Sequence, residues 1–348
     1  MPIVADQTSA VIGVDTHTDT HTAAVVTAAG AVLAHTAVTA DPAGISRLLA
    51  WAADHAPNGW WAVEGTRSHG HGLTRALIQA GHTVLQAPPP PTAVRRRGGK
   101  SDSLDAVAAA RTVLATPLDK VAIPRADGDR EALRILLTCR RHHTQQRTAT
   151  VNLLKALILT ADDQLRDQLR HLPTRAQVRA LASLEPATGT DTQTWVRHRQ
   201  LHTLAVAITT TDALLAANYR DLHALATRTC PALLAQPGVG PVTAATLLTT
   251  WSHHGRVRSE AAFAALCGAS PIPASSGRTN RMRLNRGGDR TANSALHTIA
   301  LTRRRVHQPT RDYVTRRTTE GRTPRDINRC LKRYLARQLY RVMQTHAA

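Results

Sequence analysis

Apolar residues follow two different rhythms along this chain. Near the N-terminus they form short Val/Ile-rich runs, Ala10 to Asp15, His21 to Thr27 and Ala31 to Val38, with Gly30 between the last two. β-branched runs of this length separated by a turn glycine predict three consecutive antiparallel strands. Asp41-Pro42 then opens an amphipathic stretch with Ile45, Leu48, Leu49 and Ala52 on one helical face. Trp60 to Glu64 reads as a fourth strand, Leu73, Leu77 and Ile78 as part of a second helix, and His82 to Gln86 as a fifth strand. Three strands followed by alternating helix and strand predict an α/β fold with a mixed sheet.

The segment PPPPTAVRRRGGK, from Pro88 to Lys100, interrupts both rhythms. Proline lacks a backbone donor and glycine is entropically costly in regular structure, so an exposed basic loop is expected. Behind it SDSLDAVAAARTVLA carries a Ser/Asp cap signal and strong helix formers.

From about Asp127 to His223 the pattern is polar and helical, with Leu133, Leu136 and Leu137, then Leu153, Leu154 and Leu157, at helical spacing. Long antiparallel helices or a coiled-coil arm follow from that, divided by Pro173 and the Pro186 to Gly189 stretch. After Cys230 come LLAQPGVGPVTAATLL, a Gly/Ser/Arg-rich segment from Gly268 to Asp289, and a strongly basic C-terminal helix. No internal repeat is evident.

Charge changes the picture. The 348 residues carry 44 Lys+Arg against 24 Asp+Glu, a formal net charge of +20 with a pI near 11.4. Such an excess predicts a polyanionic partner, with nucleic acid foremost. The cations are nearly all arginine, whose planar fork binds phosphate bidentately, although a GC-rich genome also enriches arginine. Only 3% of residues are aromatic, and Phe263 is the single phenylalanine, which disfavours a reader that stacks bases on aromatic faces. No run of 18 or more apolar residues and no signal-peptide order is present, so a soluble, cytoplasmic and nucleoid-associated protein with no membrane partner is expected. Cys139, Cys230, Cys267 and Cys330 lie far apart without a C-x-x-C pair, which argues against a cysteine zinc site or a disulfide framework.

Candidate chemistry begins at VIGVDTHTDTH, Val11 to His21, where an apolar run breaks into alternating acids and histidines. On a straight strand Asp15, His17, Asp19 and His21 would share one face and point in parallel, a poor arrangement for a tetrahedral zinc. Taken singly, Asp15 is a turn cap. Glu64, however, ends WWAVE in the same manner, and Asp102 and Asp105 in KSDSLDA lie on one face of a first helical turn. The last pair also fits a capping-box variant. Should all four converge, their repulsion requires cations between them, and hard oxygen donors select Mg²⁺ or Mn²⁺, as in a two-metal phosphoryl-transfer site.

Together GVDTHTDTH, AVEGT and KSDSLDA resemble the RuvC-like (RNase H-like) N-terminal domain of the DEDD transposases of bacterial insertion sequences, a family whose members work with a bridge RNA. PGVGPVTA resembles that family's helix-turn-helix-like stretch, and CGASPIPASSGRTNRMRLNRGGDR its C-terminal transposase domain. The resemblance implies a RuvC-like domain over residues 8–117, a helical or coiled-coil arm over 127–225 and a mainly α transposase domain over 230–345. It implies a magnesium site at Asp15, Glu64, Asp102 and Asp105, leaving His17, Asp19 and His21 as hairpin and surface residues. It implies a serine nucleophile before a glycine, here Ser276, with Ser275 the neighbour that a slipped match would select; the plain reading of both is a turn. DNA, a noncoding bridge RNA and a homotetramer are the implied partners.

PGVG, with Gly238 and Gly240, could open backbone N–H groups toward a phosphate or form a plain interhelical turn. Arg95, Arg96, Arg97 and Lys100, and Arg278, Arg281, Arg283 and Arg286, flank the proposed catalytic residues on glycine-rich backbone, as phosphate contacts would. The reading is a metal- and serine-dependent DNA transposase. Its rivals are a RuvC-like nuclease or junction resolvase without a covalent intermediate, and a non-enzymatic nucleic-acid-binding protein.

Overall fold

All five strands of the alternating pattern form, as β1 (Ala10–Thr16), β2 (Thr20–Thr27), β3 (Val32–Thr39), β4 (Trp60–Val63) and β5 (Val84–Gln86). They make one mixed sheet in the order β3-β2-β1-β4-β5, antiparallel from β1 to β3 and parallel from β1 through β4 to β5. The computed structural model describes residues 1–88, 101–185, 191–278 and 282–347. Arg95, Arg96, Arg97, Lys100 and Arg281, and the Pro186 to Gly189 stretch, lie outside the described residues.

By contact the chain forms two compact units, residues 1–127 with 252–258, and 128–251 with 259–348. The first is the α/β unit with its mixed sheet in the middle. Period-two alternation sends Ile12, Val14, Trp61 and Val63 to one face, under α1 (Pro42–His55) and α2 (His71–Gln79). Asp41 starts α1, its carboxylate accepting from the Gly44 N–H at 2.7 Å with Pro42 in the first turn. The other face carries Val11, Ala24, Val26 and Ala62 under α3 (Asp102–Leu114), which contributes Ala106, Val107, Ala109 and Ala110. Ser252–Arg258 rejoins this unit: the Ser252 hydroxyl accepts from the Ala126 N–H at 2.9 Å, and Arg258 pairs with Asp119 at 3.1 Å.

Small residues let α3 lie on the sheet at backbone range. A Cβ added at Gly13 would fall 2.0 Å from the Ala106 carbonyl oxygen and 2.9 Å from the Ala110 Cβ. Only glycine on β1 and alanines on α3 permit that approach, and it fixes which turn of the helix stands over which strand end.

The second unit is helical. α4 (Asp129–Leu159) and α7 (Thr192–Thr229) run antiparallel; 31 residues make α4 about 46 Å long. Arg228 with Asp129 near one end, Asn218 with the Leu136 carbonyl (3.0 Å) and Arg197 with Thr160 (3.1 Å) near the other set the register. At the distal end α5 (Asp163–Leu169) and α6 (Thr174–Ala182) close a core that includes Leu154, Ile158, Leu181, Leu201 and Ile208.

The C-terminal part follows α8 (Pro231–Leu234) with α9 (Pro241–Trp251), α10 (Glu260–Leu266), α11 (Arg290–Val306), α12 (Gln308–Thr319) and α13 (Pro324–His346). α9 is buried on nearly every side, and Trp251 donates from Nε1 to Gln344 at 2.9 Å. The Gly/Ser/Arg-rich segment becomes a hairpin of two-residue strands, β6 (Ile272–Pro273) and β7 (Met282–Arg283). Among the described residues no helix is long and apolar enough to cross a membrane.

Candidate active site

Three of the four sequence-selected acids interact at one end of the sheet, and the fourth is pinned beside them by the backbone. β1 and β4 pair in parallel with Val14 opposite Val63, so Asp15 and Glu64 follow one another's register positions on adjacent strands. The Glu64 N–H donates to the Val14 carbonyl at 3.0 Å, and the Thr16 hydroxyl donates to the Glu64 carbonyl at 2.9 Å. Alternation places both acids on the α3 face, in phase with Val11 and Gly13 on one strand and Ala62 on the other. The Gly13 contact sets the first turn of α3, with Asp102 and Asp105, above that strand end.

Asp15 is buried, 7% exposed, and its carboxyl is held above the ordinary value of 3.8. Burial is the largest cause, and the nearby charges of Asp105 and Asp102 push in the same direction, while His17 opposes them. His17 Nε2 lies 3.1 Å from Asp15 Oδ2 and 3.5 Å from Asp102 Oδ1, and Asp15, His17 and Asp102 each offer one metal-ligating atom within 4.8 Å of the others. Glu64 and Asp105 are half-buried beside this cluster.

The capping explanation of Asp102 and Asp105 does not hold. Ser101 is the N-cap, its hydroxyl is engaged with Ser103 at 2.8 Å, and its carbonyl accepts from Leu104 and Asp105 N–H groups. Among the described residues neither carboxylate accepts from its own helix. Both acids still gain from the helix N-terminus, which favours negative charge.

Two histidines depart from the sequence reading. His17 does sit in the β1–β2 hairpin, its N–H donating to the Thr20 carbonyl at 2.9 Å, but its ring reaches two acids rather than solvent alone. The usable signal was its period-two spacing from Asp15. His21 is not a surface residue. On β2 it pairs with Thr16 of β1, is 2% exposed on the face opposite Asp15, and burial pushes its pKa down. Asp19 is exposed in the turn, as expected.

In the second unit Ser276 and Ser275 are both exposed in the β6–β7 hairpin, ahead of Gly277 at φ +53°. Arg278, Arg283 and Arg286 are exposed on the same segment. PGVG is a turn packed on a helix. A Cβ at Gly238 (φ +77°) would come within 3.1 Å of the Ile299 carbonyl oxygen, and buried Arg303 donates to the Pro237 carbonyl at 2.7 Å. The Gly240 N–H donates to the Thr243 hydroxyl at 3.0 Å, so that donor is already engaged.

A RuvC-like sheet with acids gathered at the ends of β1 and β4 and at the start of α3 defines a class of nucleic-acid enzyme. The family models narrow it. The DEDD transposase model of the IS110 group, described as Transposase, matches residues 12–161, and the model of the transposase IS116/IS110/IS902 family matches residues 230–315. Together they span more than half of the chain, which belongs to the IS110 family of transposases and is therefore an enzyme acting on DNA. No curated protein matches it.

The donor set fits a divalent cation. Asp15 holds its proton to higher pH in the folded chain than when unfolded, so its contribution to stability is full below 3.8 and is lost as pH rises through the raised folded value. A divalent cation bound among these acids would take the proton's place and reverse that loss. At neutral pH Mg²⁺ at about a hundred times its dissociation constant should therefore stabilise the protein by ~2.7 kcal/mol. Thermal melting with and without Mg²⁺ checks this. Asp15→Asn should melt no lower than wild type without metal and should not respond to Mg²⁺; an equal response in both would place the cation elsewhere.

Proposed function

We propose that this transposase excises and inserts its insertion sequence by a magnesium- and serine-dependent strand exchange, with target choice carried by a noncoding bridge RNA. The observation that carries the reading is Asp15, buried at a strand end with its carboxyl held up by burial and by Asp105 and Asp102. Evolution of a fold tolerates such a cost where function requires the charges together.

Asp15, Glu64, Asp102 and Asp105 would hold Mg²⁺, with Mn²⁺ as the alternative hard cation, and the Nε2–H of His17 would orient Asp15 and Asp102. A bound divalent cation supplies charge neutralisation at the scissile phosphate and makes a hydroxyl easier to ionise. Ser276 is the nucleophile: its Oγ forms a bond to phosphorus, the bond from phosphorus to the departing strand breaks, and the serine proton ends on the released hydroxyl. The phosphoserine conserves the phosphodiester's energy, so a hydroxyl end can reverse the step on a new partner without ATP. Arg278, Arg281, Arg283 and Arg286, with Arg95, Arg96, Arg97 and Lys100, are assigned to nucleic-acid contact, whereas the Gly238–Gly240 turn, packed on its helix, is left as an interhelical turn. A homotetramer is the proposed working assembly.

Recombination between an element-end donor and a target, with purified protein and RNA transcribed from the DNA beside the gene, tests the guide. Product should form only when both that RNA and Mg²⁺ are supplied. Full recombination without RNA would assign target choice to the protein.

A further inference from the structure

The C-terminal transposase part contains a pocket of about 340 Å³ that no motif identified. Its walls are the Gly268–Pro271 loop, the β7 arm of the Ser276 hairpin, and the facing parts of α12 and α13. Six cations line it, Arg283, Arg317, Arg322, Arg329, Lys332 and Arg333, against the single carboxylate of Asp326. Some are already engaged: Arg317 pairs with Glu320, Arg329 with Asp326 at 3.1 Å, Lys332 donates to the Asn293 side-chain oxygen at 2.8 Å, and Arg333 to the Ser270 hydroxyl at 3.0 Å. Arg283 and Arg322 are exposed and have no carboxylate partner among the described residues.

Apart from Ser270 and Asn285, the rest of the lining is apolar. Met282 and Leu284 stand 55% and 45% exposed on the hairpin arm, opposite Ile327 and Cys330 of α13. Thioether and aliphatic walls ringed by guanidinium groups match a ligand with a flat, largely apolar body and a phosphate at its edge. The volume stands at the lower end of the range for small-ligand sites, roughly 300–1,000 Å³, which admits one nucleotide and excludes a duplex. Burial and the neighbouring charge of Arg329 lower the pKa of Lys332, so the pocket concentrates positive charge that a phosphate would relieve.

We propose that this pocket receives one unpaired nucleotide of a nucleic-acid strand, its base between Met282, Leu284 and Ile327 and its phosphate on Arg283 and Arg322. The proposal rests on the chain's being a transposase and is independent of which serine attacks. A strand end or an extruded base held on the same hairpin as Ser276 would be registered against the proposed nucleophile by the hairpin itself, without base-specific hydrogen bonds.

Binding alone tests it, with no cleavage needed. Fluorescence anisotropy would compare a blunt DNA duplex with the same duplex carrying a single-stranded DNA tail, and with one carrying an RNA tail. Leu284→Asn leaves the charge unchanged, and both it and Arg322→Ala alter exposed side chains, so melting temperatures should match wild type. Each variant should weaken a tailed probe about tenfold, the scale of one base contact, while Leu284→Asn leaves the blunt duplex unaffected. Loss with the DNA tail, the RNA tail or both names the strand that supplies the nucleotide. Equal weakening of blunt and tailed probes by Leu284→Asn, or no weakening of either tail, would overturn the pocket assignment.

Discussion

Asp102→Asn should abolish strand cleavage while leaving DNA affinity nearly unchanged. Asp102 is half exposed at the start of α3, so the substitution adds no cavity and removes only one charge from a cluster in which Asp15 is already destabilised by its neighbours. The fold should melt no lower than wild type, because relief of repulsion offsets the lost contact with His17. Catalysis is different: removing one properly placed electrostatic group in an enzyme site costs on the order of 10²–10³ in rate, and a ligand of the cation should cost at least that. DNA affinity is proposed to come from arginines elsewhere, within a chain of net charge +20, and one neutralised acid should if anything raise it slightly. Cleavage of a supercoiled element-end plasmid in Mg²⁺, beside filter binding of the same DNA, reads both quantities. Wild-type cleavage by the variant would remove Asp102 from the site and return it to a structural role.

Ser276→Ala should lose recombination entirely, whereas Ser275→Ala should retain it. Both residues are exposed on the same hairpin, so neither substitution opens a cavity in the core. Only one hydroxyl can lie in line with the scissile phosphate, and Ser276 is the one that directly precedes Gly277, which takes the left-handed backbone conformation at φ +53°. The reverse outcome, with Ser275→Ala inactive and Ser276→Ala active, would move the nucleophile by one residue. Recombination by both variants would remove both serines from the strand-exchange chemistry.

Much of the fold was legible because the physical signals are local. Val/Ile runs, Gly30 at the hairpin and the Asp41-Pro42 helix start each specify their own element, and the long polar helices show their leucine spacing directly. The four acids stood out because each interrupts an apolar run or opens a helix where no other polar group is needed. What the pattern could not supply is direction. His17 reaches Asp15 and Asp102 because of the way the β1–β2 hairpin turns, and His21 is buried because β2 begins one residue before it, at Thr20. The capping reading of Asp102 and Asp105 failed because Ser101, one position earlier, starts the helix. The basic pocket was invisible because its cations come from β7, the end of α12, the α12–α13 connection and α13, segments that only tertiary packing brings together.

The proposed strand exchange passes through a covalent link between DNA and Ser276. Wild-type protein reacted in Mg²⁺ with end-labelled element-end DNA and run on a denaturing gel measures it directly. The expected result is a slow-migrating labelled band that protease removes and that Ser276→Ala never forms; cleaved DNA with only free ends in the wild-type lane would contradict the covalent link.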